Sequence, residues 1–352
     1  MFKLPALHSL PAPTRHFLKI APYNVFVWGV LIIYLFPLAF LLVTAIKSTE
    51  QLMDPNAPLY PAEQLSYTYL GKSYPLYTVP TPQGNQTWAL VKRHLKTAEF
   101  VDPSNPQTGI FMWNGNWRYL QGVYRFHPTW DNFFVLIKAL PFQQMLNNTL
   151  LMTVLGEIGV LCSSIIVAYG FARFRMPAGN LLFYILIATI LIPEKITFIP
   201  TYFFYVNTLH WKGTLYPILL PFFFGNAVYI FLLRQNFKGI PLDLEEAAML
   251  DGAGPLRRLF YVVLPQSWPV VITVSVLHFF YMWNETRQVS LYLGANPSLM
   301  PLSIAVQSYQ SRVPIQNVIE ASTVVILLVP LILLFISQRF FMRNLIVTGA
   351  EK

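Results

Sequence analysis

The strongest constraint on this chain is a series of long apolar stretches. A helix that crosses a bilayer needs about 20 mostly apolar residues. Six stretches qualify: about Val25–Ile46, Met145–Phe171, Leu181–Phe203, Thr214–Leu233, Ser267–Asn284 and Val318–Ser337. They predict an all-α polytopic membrane protein with six transmembrane helices. Composition agrees, because 55% of the 352 residues are hydrophobic and 11% are charged, against about 25% charged in soluble domains. Such a chain cannot cover its own surface with polar groups, so lipid must be the solvent for much of it. The net charge of +9 does not point to nucleic acid, because the basic residues sit in short clusters between apolar runs rather than in long blocks.

Those clusters set an orientation. Arg15 and Lys19 precede the first run, Arg173 and Arg175 fill the turn between the second and third, Arg234, Lys238, Arg257 and Arg258 lie between the fourth and fifth, and Arg339 and Arg343 follow the sixth. With six spans all four segments fall on one side, and the positive-inside rule makes that side cytoplasmic. Both termini are then expected inside. The N-terminal segment 1–24 is Pro-rich and lacks the apolar core of a signal peptide, so the run 25–46 reads as a retained anchor. Cys162 is the single cysteine, which excludes an intrachain disulfide.

Residues 47–140 differ in kind. The segment is rich in Pro, Tyr, Trp, Asn and Gly and contains strand-like runs at Tyr77-Thr-Val, Thr87-Trp-Ala-Leu-Val and Trp117-Arg-Tyr-Leu. Turn signals separate them at Pro82-Gln-Gly-Asn, Asp102-Pro-Ser-Asn-Pro and Asn114-Gly-Asn. The expectation is a small β-rich extracytoplasmic domain between helices 1 and 2; the alternative is an irregular capping loop. Gly71-Lys-Ser looks like the end of a phosphate-binding loop, but Ser66 stands where its first glycine belongs, so the chain is not expected to bind a nucleotide.

The most informative segment is the loop 240–265. Asp243 followed by Glu246 is a capping-box pattern that predicts a helix start. Ala247 and Ala248 are strong helix formers with almost no side chain, so another surface can approach closely. Gly252 suits a helix stop and Pro255 the first turn of a second helix. Leu256, Leu259, Phe260 and Val263 give that helix an apolar face, and Leu264-Pro265 is expected to end it at the membrane. Two readings fit: a plug for a groove in a soluble partner, or an interfacial hairpin that only links two spans.

Glu246-Ala-Ala, three residues, Gly252, nine residues and then Val262-x-Leu-Pro resembles the EAA signature of binding-protein-dependent ABC importer permeases, with Val262 where Ile is usual. Further motifs resemble the carbohydrate branch, specifically the maltose-type second permease subunit: Pro141-Phe with Asn148-Thr-Leu; Ala168-Tyr-Gly-Phe-Ala-Arg-Phe-Arg; Ile192-Pro-Glu with Ile199-Pro-Thr-Tyr; Phe231-Leu-Leu-Arg-Gln; Asp251-Gly-Ala; Trp283-Asn-Glu; and Gln338-Arg. The resemblance covers about Trp130 to Lys352. It implies a type I ABC importer permease fold, with a five-helix core at 141–338 and a cytoplasmic tail at 339–352. It also implies a homologous second permease subunit, two ATPase subunits that bind ATP and Mg, an extracytoplasmic solute-binding protein, and residence in the inner membrane of a prokaryote. Carried over, Glu246, Ala247, Ala248 and Gly252 would enter the ATPase groove, with Glu245 and Asp251 adding charge contacts. The tail Gly349-Ala-Glu-Lys resembles the family's ending.

Ionisable and polar residues inside spans are costly and often functional. Glu157 lies mid-span where the family usually has an uncharged residue; it is a cavity residue meeting a polar solute, or a bundle-facing Glu that is protonated or paired. Glu194 and Lys195 follow Pro193, and Pro193 and Pro200 are both expected to interrupt the third span. Broken helices line transporter cavities, so these residues form a pathway wall or a plain kink. Asn148, Trp283, Asn284 and Glu285 complete the candidate pathway, although Thr286-Arg287-Gln288 departs from the family's apolar continuation. His278 reads as a packed polar residue. The expected activity is translocation of a sugar or related polyol into the cytoplasm, with no bond chemistry in this chain. The rival is an ion-gradient-driven secondary transporter or channel with Glu157, Glu194 and Lys195 as its relay.

Overall fold

The computed structural model describes residues 12–82, 84–294, 296–312 and 315–347; the segment before Ala12 and the tail Gly349-Ala-Glu-Lys lie outside the described residues. The chain divides into one unit of Met1–Leu136 with Val313–Val324, and another of Ile137–Arg312 with Val325–Lys352.

In the first unit, helix α1 spans Ala12–Ala45. It begins earlier than the apolar run, with Pro13 in the first turn, where a missing N–H costs nothing. Its membrane-compatible part is Ala21–Ala45. The large apolar side chains from Tyr23 to Leu42 are mostly exposed, so the described residues of this unit do not cover them. A short helix α2, Thr49–Met53, follows; the Ser48 hydroxyl accepts from Gln51 N at 3.2 Å. Buried Gln51 then fastens the incoming loop: Nε2 donates to the Pro58 and Tyr60 carbonyls (2.9 and 2.7 Å), and Oε1 accepts from Ala62 N at 3.0 Å.

The insertion between the first and second spans is a β-sheet domain, as its turn punctuation predicts. Strands β1 (Ala62–Gln64), β2 (Ser66–Tyr69), β3 (Lys72–Thr81), β4 (Gly84–Arg93), β5 (Thr97–Val101), β6 (Phe111–Asn114), β7 (Gln121–Gly122) and β8 (Tyr124–Phe126) occur among the described residues. Strands β2 to β6 form an antiparallel meander, β7 pairs with β3, and β1 pairs with β8. Tyr77, Val79, Leu90, Phe100 and Leu120 make its core, covered in part by Trp88, Phe111, Trp113 and Trp117. Edge-on ring pairs fix this layer: Trp88–Phe111 at 4.7 Å and Phe100–Trp113 at 6.0 Å. The run Trp117-Arg-Tyr-Leu is not a strand. Asn116 Oδ1 captures Arg118 N at 3.1 Å and closes a 3₁₀ turn over Trp117–Tyr119, so local capping overrides aromatic β-propensity. The Arg93 and Arg118 guanidinium groups lie over the Trp117 ring, 4.7 and 5.0 Å from its centroid.

Helix α3, Asp131–Ala139, supplies a polar clasp for the end of α1. Buried Asn132 Nδ2 donates to the Ala45 and Lys47 carbonyls at 2.7 and 2.9 Å, and buried Asn317 Nδ2 donates to Lys47 O and Asn132 Oδ1 at 3.0 and 2.8 Å. These bonds satisfy carbonyls that a helix end leaves open. Asn132→Leu is expected to destabilise the chain by roughly 1–3 kcal/mol, because it strands buried acceptors. A thermal unfolding curve of the purified chain checks this; an unchanged midpoint refutes it.

In the second unit, α4 spans Phe142–Arg173 and packs on α8 (Ala227–Gly239) and α11 (Leu264–Asn284). Val160, Ala168, Ile230, Leu233, Phe237, Leu259 and Val274 form the core between them. Two spans are broken. The third consists of α5 (Gly179–Ile190) and α6 (Glu194–Phe203, followed by a wide turn to Thr208), bent by 92°. The break falls at Pro193, as expected, but Pro200 stays inside α6. The fourth begins as α7 (Tyr216–Leu219) and a 3₁₀ turn, breaks at Gly225 with φ +87°, and resumes as α8. Between α8 and α11 lie α9 (Leu242–Leu250) and α10 (Pro255–Arg258); α12 (Arg287–Leu293), α13 (Leu302–Arg312) and α14 (Gln316–Val347) complete the chain. Among the described residues five helices are long and apolar enough to cross a membrane, and the bent pair makes a sixth if it is one span.

Candidate functional site

The loop after α8 is built as two helices around a glycine, with three departures from its sequence reading. Helix α9 begins at Leu242 with Pro241 as N-cap and no side-chain cap. The capping box on Asp243 therefore does not form, because Asp243 already lies in the first turn, where its charge still complements the helix dipole. Its C-terminus is closed by Gly252 at φ +78°: Gly252 N bonds Met249 O at 3.0 Å and Ala253 N bonds Ala248 O at 2.9 Å. This is the paired-bond stop that favours glycine. The second helix does not end at Leu264-Pro265. It continues from Pro255 to Asn284 through a wide turn at Leu259–Val263. That wider register, just upstream of Pro265, accommodates a residue that has no N–H and crowds the preceding turn.

The faces of α9 are sharply divided. Glu245 is buried: Oε2 accepts from the Tyr169 hydroxyl at 2.9 Å, and Oε1 from Arg173 Nε at 2.5 Å. Arg173 Nη2 also donates to Ile240 O at 2.9 Å. Beside it, Arg234 donates to Phe171 O at 3.3 Å and lies 3.7 Å over the Phe183 ring. Glu245 thus holds α9 to the end of α4 and does not point outward. Leu242, Leu244, Glu246, Ala247, Met249, Leu250, Asp251 and Gly252 are exposed, with Leu250 at 91%, and Ala248 is half-buried.

The polar candidates in and near the spans separate into three roles. Asn148 Nδ2 donates to Ser298 O and Met300 O at 2.8 and 3.1 Å, pinning the loop before α13. Trp283 is buried, stacks on Phe279 at 5.4 Å, and donates to Ile326 O at 3.0 Å. Asn284 Nδ2 donates to Phe280 O at 2.9 Å, and Glu285 Oε1 accepts Gln288 N at 2.8 Å ahead of α12. Each of these four makes a hydrogen bond to nearby backbone. Glu157 faces a cleft of about 470 Å³ between α4, α11 and α14 whose wall is apolar apart from Thr153, Ser275 and Ser337. Its carboxylate oxygens are buried and, among the described residues, make no hydrogen bond of good geometry, with the Ser275 hydroxyl in the same wall as their polar neighbour.

Glu194 belongs to a different cavity. It accepts from Arg287 at 2.7 Å and from Gln288 at 3.1 Å, so its partner is on α12 rather than the adjacent Lys195. With Asn226, Tyr229, His278, Tyr281 and Gln288 it lines a space of about 370 Å³. Of the sequence candidates only Glu194 reaches it. The others were hidden because α6, α7 with its following turn, α8, α11 and α12 converge there; a histidine in the middle of an apolar span was the one signal.

A family model described as binding-protein-dependent transport system inner membrane component matches residues 160–347. The chain belongs to this family. It is thus a non-catalytic, multi-pass inner-membrane permease subunit of an ABC importer. It is 31% identical over 208 residues to the sn-glycerol-3-phosphate transport system permease protein UgpE of Yersinia pestis, covering 58% of this chain and 73% of that one. With UgpE of Pectobacterium atrosepticum the identity is 32% over 213 residues, with the same coverage. A solved structure of a bacterial ABC transporter involved in the import of the acidic polysaccharide alginate superposes with a TM-score of 0.61 at 18% identity, covering 94% of this permease and 100% of that chain. That likeness concerns the fold, and its coverage takes in most of the β-sheet insertion as well as the helices.

Proposed function

We propose that this permease carries a sugar or related polyol into the cytoplasm by alternating access, with α9 seated in a groove of a separate ATPase subunit. The observation that carries the reading is the division of α9. Its inner face is tied through Glu245 to α4, while its outer face presents Glu246, Ala247, Met249 and Leu250 with none of the described residues upon them. Small residues let a second surface approach the helix backbone, and the exposed leucines offer it apolar area. A helix gripped by an ATPase on one side and fixed to a span on the other passes motion between them. ATP-driven closure of two ATPase subunits would then favour one of two arrangements of the spans, the differential contact that coupling requires. The remaining partners are a homologous second permease and an extracytoplasmic solute-binding protein, with both termini of this chain cytoplasmic. Glu157 fits the same picture as a residue neutralised by a proton or by a donor on the second permease, since an ionised, unpaired carboxylate in lipid is costly.

The solute class is supported by two relatives named for glycerol 3-phosphate and by the aromatic and amide lining of the cavity around His278. The decisive measurement is solute uptake into proteoliposomes holding the complete complex, with and without ATP. Uptake is expected to require both ATP and the ATPase subunits. Uptake by this chain alone, unaffected by ATP depletion, overturns the importer mechanism in favour of a gradient-driven carrier.

A further inference from the structure

We infer that the end of the fifth span where α10 enters it holds the phosphate of an anionic phospholipid, with Arg258 as its principal cation and Arg257 beside it. The inference rests on the importer reading for the cytoplasmic side of this corner and adds to it a lipid partner.

Arg258 carries a charge that the fold leaves unmatched. It is half-buried at the end of α10. Its Nε is shielded from water and finds no acceptor, and among the described residues no carboxylate pairs with its guanidinium. It lies close enough to Tyr169 for its charge to act on that hydroxyl, as do Glu245 and Arg173. The Glu245 carboxylate is already committed, one oxygen to Tyr169 and the other to Arg173. Two guanidinium groups thus face one carboxylate, and a positive charge is left over. Exposed Arg257 adds another. Glu246 and Asp251, the other acids nearest along the loop, are exposed and pair with neither arginine. A charge drawn out of water without a counter-charge is costly, so the corner calls for an anion.

The neighbouring side chains decide which kind. Leu259 and Val263 are buried in the core, which turns Leu256, Phe260 and Tyr261 outward. Tyr261 is 77% exposed, and Trp268, about two turns further, is 56% exposed. All belong to Pro255–Asn284, a stretch long and apolar enough to cross a membrane. They therefore face the bilayer, on a different helix from the α9 face offered to the ATPase. Tyr and Trp are enriched where headgroups meet hydrocarbon, and basic side chains there draw anionic lipid. Guanidinium forks match phosphate oxygens through paired hydrogen bonds, while Phe260, Tyr261 and Trp268 lie alongside the acyl chain. A carboxylate from a soluble partner would meet the charge but leave those three rings uncovered.

The test photo-cross-links the complete transporter complex in neutral detergent. The probe is phosphatidylglycerol with a diazirine next to its headgroup, and mass spectrometry maps the labelled peptide. Label is expected between Leu256 and Trp268, displaced by unlabelled phosphatidylglycerol but not by phosphatidylcholine or inorganic phosphate. Arg258→Gln should raise the half-displacing concentration of phosphatidylglycerol about fivefold, the contribution of one basic side chain beside anionic lipid. Arg258→Lys should restore most of that loss. Arg257→Gln, which alters only an exposed side chain, should show a smaller rise. Equal displacement by phosphatidylcholine reduces the site to apolar contact, and displacement by inorganic phosphate makes it a free-anion site; either overturns the proposal. So does label confined to other peptides, or unchanged affinity in both glutamine variants. Each of those results leaves ATP-dependent uptake intact, whereas ATP-independent uptake by the unmodified complex overturns the importer reading and leaves the labelling result standing.

Discussion

Arg173→Met is expected to destabilise the chain by roughly 3–5 kcal/mol, because it leaves the Glu245 carboxylate buried without its counter-charge. The two side chains are 8% and 4% exposed, so water cannot take over the lost interaction. Glu245→Leu alone should cost a similar amount, by leaving the guanidinium uncompensated. The double replacement Arg173→Met with Glu245→Leu should recover most of the loss, since a buried ion pair exchanged for apolar groups is often neutral. A residue of roughly 1–3 kcal/mol should remain from the two severed bonds, Arg173 to the Ile240 carbonyl and the Tyr169 hydroxyl to Glu245. Denaturant unfolding of the four proteins closes the cycle. Two single variants as stable as the parent would refute the buried pair. Solute-stimulated ATP hydrolysis then separates stability from coupling. If α9 transmits motion through this pair, the double variant should fold yet hydrolyse ATP with reduced response to solute.

That cycle depends on a distinction the sequence does not make. Glu245 and Glu246 are neighbours in a run of helix formers, and successive residues on a helix point about 100° apart. Which carboxylate turns inward depends on Tyr169 and Arg173, some seventy positions earlier in the chain. The spans themselves are legible because lipid imposes a length and an apolar composition. Their internal breaks are less so. Pro193 signals one through its missing donor, whereas at Gly225-Asn226 a glycine stop and an asparagine N-cap stand in so apolar a run that Thr214–Leu233 reads as one continuous span. Pro265 misleads in the other direction, because a widened turn upstream lets the helix pass through it. The β-sheet insertion is legible from its turns, and only Trp117–Tyr119 is misassigned, where a side-chain cap competes with strand propensity. The cavity around His278 carries almost no linear signal. Its residues come from α6, from α7 and the turn after it, and from α8, α11 and α12, and it exists only once two broken spans are folded together.

Gly252→Pro is expected to abolish solute-stimulated ATP hydrolysis while leaving the spans assembled. Proline fixes φ near −65° and has no N–H, whereas Gly252 adopts φ +78° and donates to Met249 O. The substitution therefore removes the helix stop and changes the angle at which α9 leaves α10. The core formed by Val160, Leu233, Phe237, Leu259 and Val274 contains no part of that turn, so helical content and insertion should persist. Gly252→Ala provides the graded control. An added methyl meets nothing within 4 Å, so its cost is left-handed backbone strain alone, about 1–2 kcal/mol, and much of the coupling should survive. Glu246→Lys tests the exposed face separately from the turn. A surface change of this kind usually alters stability by less than about 0.5 kcal/mol, so lost ATPase association in that variant reports the contact itself. Full solute-stimulated hydrolysis in Gly252→Pro or in Glu246→Lys would exclude α9 as the seat of the ATPase, and the exposed leucines at 242, 244 and 250 would then have to be explained by the membrane surface.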